Sequence, residues 1–97
     1  MTIRTQVDRT EEALAILAGT TGLGPTARAT ILAVIALETI GAGATPARVA
    51  ATVGVTERTF RYRTDGEYLK RLVAWRYLRV DAGGYVCLGD KLERTDG

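Results

Sequence analysis

Apolar residues recur along this chain first at helical spacing and then in alternation, and the period changes near residue 78. Val7, Leu14, Ile16 and Leu17, with alanines between them, form an apolar stripe that predicts a helix over residues 6–18. Asp8, Glu11 and Glu12 fall in its first turns, where unpaired backbone N–H groups favour carboxylates. Gly19 to Gly24 interrupts the pattern. Pro25 then opens a second helix, since a proline at the first helical position gives up no hydrogen bond. That helix runs through Leu32, Ile35, Ala36 and Ile40 and stops at Gly41-Ala42-Gly43.

Two shorter helices follow in quick succession. Thr45-Pro46 joins a capping hydroxyl to a first-turn proline, and Val49, Ala50 and Val53 supply an inward face before Gly54 ends the helix. Thr56 caps the next helix, with Val55 and Phe60 at the spacing of a hydrophobic staple across the cap. Asp65-Gly66 predicts a kink or a turn. Beyond it, Tyr68, Leu69, Leu72, Val73 and Trp75 or Tyr77 mark a helix over residues 67–77. Residues 78–88 then alternate: Leu78-Arg79-Val80-Asp81, a tight turn at Ala82-Gly83-Gly84, and Tyr85-Val86-Cys87-Leu88, which together predict a hairpin. Residues 89–97 are charged, lack a period and are expected to fray. The pattern describes one domain, mainly α with a small β-hairpin and about five helices.

Composition narrows the chemistry. The chain has 97 residues, no histidine and a single cysteine, Cys87. An intrachain disulfide, a thiolate zinc site and histidine-based acid–base catalysis are therefore excluded. Glu11 and Glu12 sit on a helix surface with nothing to raise a carboxyl pKa. A non-enzymatic protein without cofactor or metal is expected. Ala29 to Ile40 is the most apolar run, but it is well short of the roughly twenty residues that span a bilayer, so it predicts a buried core helix and no membrane partner. Met1-Thr2-Ile3-Arg4 is followed by Asp8, Arg9, Glu11 and Glu12 rather than by an apolar signal region, which makes a cytoplasmic protein the expectation.

Residues 45–63 carry the functional signal. They place a short helix, a glycine turn and a second capped helix within the span of a helix-turn-helix. Ala50 is small where the helices cross, and Gly54 accepts the left-handed conformation the turn requires. Within this stretch, Val53-Gly54-Val55-Thr56-Glu57-Arg58-Thr59-Phe60-Arg61-Tyr62 resembles the turn and recognition helix of the tetracycline-repressor family, a likeness that extends over Arg28 to Arg63. A departure from that family is expected afterwards, these 97 residues being too few for the family's helical ligand-binding domain. Leu69 to Leu88 is similar instead to winged-helix proteins: a helix, then Leu78 and Val80, a glycine turn, and Tyr85 on the returning strand. Thr64 to Glu67 reads as an insertion between recognition helix and leucine-rich segment.

These resemblances imply binding to double-stranded DNA, and the helix phase assigns roles. With Val55 and Phe60 inward, Thr56, Glu57, Arg58, Thr59, Arg61 and Tyr62 face outward at the end of the helix that reaches base edges. Arg58 and Arg61 suit guanine, and Glu57 suits the cytosine amino group. Thr45, Thr56, Tyr62 and Arg63 suit phosphates, with Arg48 from the preceding helix beside them, and the wing tip from Arg79 to Gly84 suits either a minor groove or the backbone, with Asp81 counting against it. Between Val55 and Asp81, seven basic residues oppose four acidic ones, while the rest of the chain is net negative; the overall charge is +2. The expected protein is a homodimeric transcriptional regulator with no evident effector, its N-terminal helix being the expected dimer element. Two alternatives share the same residues: a plasmid or phage replication or partition protein, and a winged-helix protein–protein module. Taken alone, the arginines read as a solvated face, and Tyr68, Trp75 and Tyr77 are expected to be core or dimer contacts rather than base-stacking platforms.

Overall fold

A computed structural model describes residues 6–92, with side chains from residue 10 onward. Five helices, α1 (Gln6–Gly19), α2 (Pro25–Thr39), α3 (Pro46–Val53), α4 (Glu57–Tyr62) and α5 (Leu69–Ala74), precede an antiparallel hairpin of β1 (Leu78–Val80) and β2 (Val86–Leu88). A single 3-10 turn, Asp90–Leu92, follows. The fold is mainly helical with a small hairpin, as the periodicity implies. Among the described residues no helix is long and apolar enough to cross a membrane.

The centre of the core is α2, which packs against α1, α3 and β2. It buries Ala27, Ile31, Ala33, Val34 and Ile35, together with Thr30, whose hydroxyl donates to the Thr26 carbonyl at 2.8 Å and so enters the core satisfied. Leu32 and Ala36 face outward, and Ile40, just past the helix, is 74% exposed. A run that is apolar on every side hides its own phase, because the inward stripe and the exposed one read alike. The stripe of α1 is also shifted: Ala13 and Leu17 are buried and Ile16 half-buried, whereas Leu14 is 39% exposed. The side chain of Val7 lies outside the described residues. Arg28 closes the C-terminal end of α1 by donating to the carbonyls of Leu17, at 3.0 Å, and Thr20. The expected dimer element thus has its inward face committed to its own core.

Two boundaries differ from the sequence expectation. The helix expected over residues 67–77 is only Leu69–Ala74. Tyr68 is extended at its start, and Arg76 takes a left-handed φ of 67° at its end. There the Arg76 N–H donates to the Val73 carbonyl and the Tyr77 N–H to that of Leu72, the paired bonds of a Schellman stop. The tail expected to fray from residue 89 is anchored as far as Leu92. The Gly89 N–H donates to the Tyr77 carbonyl at 2.9 Å, and Leu92, 2% exposed, joins the core beside α1. One leucine in a three-residue turn has no period, so burial alone reveals it. Residues 93–97 of that tail lie outside the described residues.

The hairpin pairs Leu78 with Leu88, Arg79 with Cys87 and Val80 with Val86, and turns Leu78 and Val86 into the core. Its returning strand is tied to the segment before α3 by a 2.7 Å bond from the Val86 N–H to the Ala44 carbonyl. The hairpin is therefore fastened beside the two-helix unit rather than projecting freely.

Candidate nucleic-acid interface

Local chemistry builds the α3–α4 unit from both ends. The Thr45 hydroxyl accepts the Arg48 N–H at 3.2 Å and caps α3, with Pro46 in its first turn. Gly54 ends α3 with a φ of 95°, so that its N–H and that of Val55 both return to the Ala50 carbonyl. A side chain at Gly54 would be strained in that conformation. Thr56 then caps α4 by accepting the Thr59 N–H at 3.1 Å, and its own O–H donates to the Thr59 hydroxyl at 2.9 Å. Thr45 and Arg63 are the outer caps of the two helices.

One residue sets the orientation of α4. Phe60 is fully buried and meets the Tyr68 ring edge-on, with centroids 6.5 Å apart and planes at 75°. Val55 packs against the same core from the other side of the cap. A six-residue helix pinned on one side must present the rest of its surface outward. Thr56, Glu57, Arg58, Tyr62 and Arg63 are exposed, and Thr59 and Arg61 are half-buried.

The cations on this face are not equivalent. The Arg61 Nε–H donates to Glu57 Oε2 at 2.7 Å. Arg63 Nε–H donates to Asp65 Oδ1 at the same distance, and this hydrogen bond, reinforced by the charge of Arg63, holds the Asp65 carboxyl below the usual range. Arg58 is exposed, and no ion pair is found for it among the described residues. Lys70 Nζ lies 6.0 Å from the Tyr62 ring centroid, at the edge of cation–π range.

Two expected site residues stand apart from this group. Arg48 is exposed, but its Nη1 donates to the carbonyls of Ala42 and, at 3.4 Å, Gly43, so it is held to the loop before α3. The Tyr85 ring covers the same loop, close enough that a methyl on Gly43 would fall 2.9 Å from it. Arg79 lies on the hairpin, opposite Cys87. Its neighbour Asp81 is absorbed into the turn, where Oδ1 accepts the N–H groups of Gly83 and Tyr85, each at 2.9 Å. Cys87 Sγ lies 3.7 Å from Asp81 Oδ2, and burial, ahead of its charged neighbours, raises the thiol pKa.

Three contributors were not named as site residues by the sequence. Arg71 donates to the Thr64 carbonyl at 3.2 Å and stacks over Trp75 at 5.5 Å, while Glu67 accepts the Gly24 N–H at 3.2 Å. Together they pin the connector between α4 and α5 to α5 and to the start of α2. The i,i+4 spacing of Arg71 and Trp75 was a readable signal for the stack. The Glu67 contact spans 43 positions and left none. Set against family models, curated proteins and solved structures, the chain matches none of them.

Proposed function

We propose that this chain is a winged helix-turn-helix protein that binds double-stranded DNA in a sequence-specific manner, with α4 as the reading helix and the β1–β2 hairpin alongside it. The observation that carries this reading is the orientation of α4: Phe60 is fully buried while Thr56, Glu57 and Arg58 are exposed at the helix start. The start of a recognition helix is where side chains meet base edges in the major groove. Three features add support. Positive charge is concentrated between Val55 and Asp81. The Val86–Ala44 bond fastens the hairpin beside the unit. The carboxylate of Asp81 is turned into its own loop. The role that fits is a cytoplasmic, non-enzymatic transcriptional regulator acting as a homodimer, because one short helix contacts too few bases to select a site alone.

The test is a mobility-shift titration against random and selected duplexes at 50–200 mM salt, the range over which phosphate binding weakens steeply. Binding at low salt that falls as salt rises, with Arg58→Ala losing about 5- to 150-fold on the selected duplex and less on random DNA, is the expected result. Negligible affinity for any duplex at low salt refutes the reading and leaves a protein–protein module in its place.

A further inference from the structure

We infer that Glu57 is a positioning residue for Arg61, holding its guanidinium end-on so that the pair reads a guanine and Glu57 itself touches no base; the inference rests on the DNA-binding reading above. Glu57 is the first residue of α4 and Arg61 stands one turn later, so their side chains meet along one face. The bond between them uses Arg61 Nε and only one carboxylate oxygen, Oε2, at 2.7 Å. Both terminal amino groups of the guanidinium stay outside that bond. The Nη1 and Nη2 fork is the part of arginine that matches guanine O6 and N7. Side-on binding through Nε is closed to a base while Glu57 holds it, and end-on binding is left open.

Exposure agrees with this division. The Glu57 and Arg61 side chains are 46% and 42% exposed, so the pair lies at the surface with its outer edge accessible. A free arginine must give up most of its rotamer freedom to make a bidentate contact, and one already bonded at Nε gives up less. The guanidinium also neutralises the Glu57 charge, which weakens its remaining oxygen, Oε1, as an acceptor for the cytosine amino group. This replaces the role expected for Glu57 from sequence alone. Arg58, exposed and without such a partner, has no equivalent device.

The experiment is selection of bound duplexes from a randomised pool by wild type, Glu57→Ala, Glu57→Gln, Arg61→Ala and the Glu57→Ala/Arg61→Ala double variant, each checked for fold by circular dichroism. Wild type is expected to enrich guanine at a half-site position where Arg61→Ala shows no enrichment. Glu57→Ala is expected to lose about tenfold in guanine preference at that same position, while its affinity for random duplex rises with the removal of a negative charge. Glu57→Gln keeps an oxygen that can accept the Nε–H and should recover most of the preference. The double variant should be no worse at that position than Arg61→Ala. In the free protein, the Arg61 Nε–H should exchange with water more slowly in wild type than in Glu57→Ala.

Three results overturn the inference. If Glu57→Ala changes the preference at a neighbouring cytosine or adenine and leaves the guanine intact, Glu57 reads a base itself. If the selected sequence is the same for wild type and Glu57→Ala, the pair is a surface ion pair without a role in reading. If wild type binds no duplex at low salt, the DNA-binding reading fails and this inference fails with it.

Discussion

Replacing Phe60 by alanine tests the orientation on which the functional reading depends. The ring is fully buried and packs edge-on against Tyr68, so truncation removes its transfer free energy, leaves a cavity and loses the aromatic pair. Buried Phe→Ala changes cost about 3–5 kcal/mol, of which an edge-on aromatic contact accounts for about 0.5–1.5 kcal/mol. A domain of this size has about 5–15 kcal/mol in total, so the variant should remain folded but lose a large share of its stability. With a urea m-value near 1.5 kcal/mol per molar, the unfolding midpoint should fall by about 2–3 M. Should Phe60→Ala fail to fold, Phe60→Leu fills part of the space and should cost about 1–2 kcal/mol. Equilibrium urea unfolding followed by circular dichroism and by Trp75 fluorescence measures both variants. A loss below about 1 kcal/mol for Phe60→Ala would mean that Phe60 does not anchor α4, and the outward placement of Arg58 would lose its basis.

Three further perturbations test other parts of the fold. A methyl on Gly89 would lie 2.3 Å from the Arg76 carbonyl oxygen and 2.9 Å from the Leu78 nitrogen, both backbone atoms, so Gly89→Ala should lower stability by about 3 kcal/mol; Gly19, with nothing within 4 Å, provides a near-neutral control in the same thermal melts. Arg76 holds a left-handed φ of 67° at the end of α5, and Arg76→Gly should raise stability by about 0.5–1 kcal/mol; a loss instead would show that the guanidinium contributes more than the backbone strain costs. Asp81 accepts the Tyr85 and Gly83 N–H groups, which lowers its pKa in the folded state. Its contribution to stability is therefore present above the unfolded value near 3.9 and lost as pH falls through the folded one. Between pH 5 and pH 2.5, Asp81→Asn should lose less melting temperature than wild type, and equal losses would mean the turn does not depend on the ionised carboxylate.

What the sequence disclosed depended on how local each signal was. The caps and the glycine turn of the α3–α4 unit were legible, because Thr45, Pro46, Gly54 and Thr56 each act on a neighbour within a turn. The hairpin was legible because a glycine turn separates two alternating runs. The inward face of α2 was not, since alanine and leucine occur on both its sides and only packing decides between Ile31 and Leu32. Leu92 escaped for a related reason, as did Glu67, whose partner Gly24 lies 43 positions earlier in the chain. Within the candidate site, composition showed seven basic residues between Val55 and Asp81 but not their partners. Arg61 and Arg63 each meet a carboxylate, and Arg48 is held by loop carbonyls.

Helix length bears on what such a site can specify. Six residues at about 1.5 Å per residue make α4 about 9 Å long, and with base pairs stacked about 3.4 Å apart that covers fewer than three steps. A three-base-pair word recurs by chance roughly once in sixty-odd base pairs, too often for one copy to find a single site among millions. The connector after Tyr62 is held by the Arg71 bond to the Thr64 carbonyl, which an α4 extended through Thr64 would disturb. Specificity must then come from a second half-site or from the hairpin. The hairpin offers Arg79 and a glycine turn, suited to phosphate or to a groove wall more than to base edges. A second copy doubles the word read to about six base pairs, which recurs roughly once in four thousand, so two copies narrow the choice about sixtyfold and the hairpins must add to it. If this chain reads DNA as proposed, two protomers on each selected duplex is the expected arrangement, and one protomer bound with full specificity would contradict it.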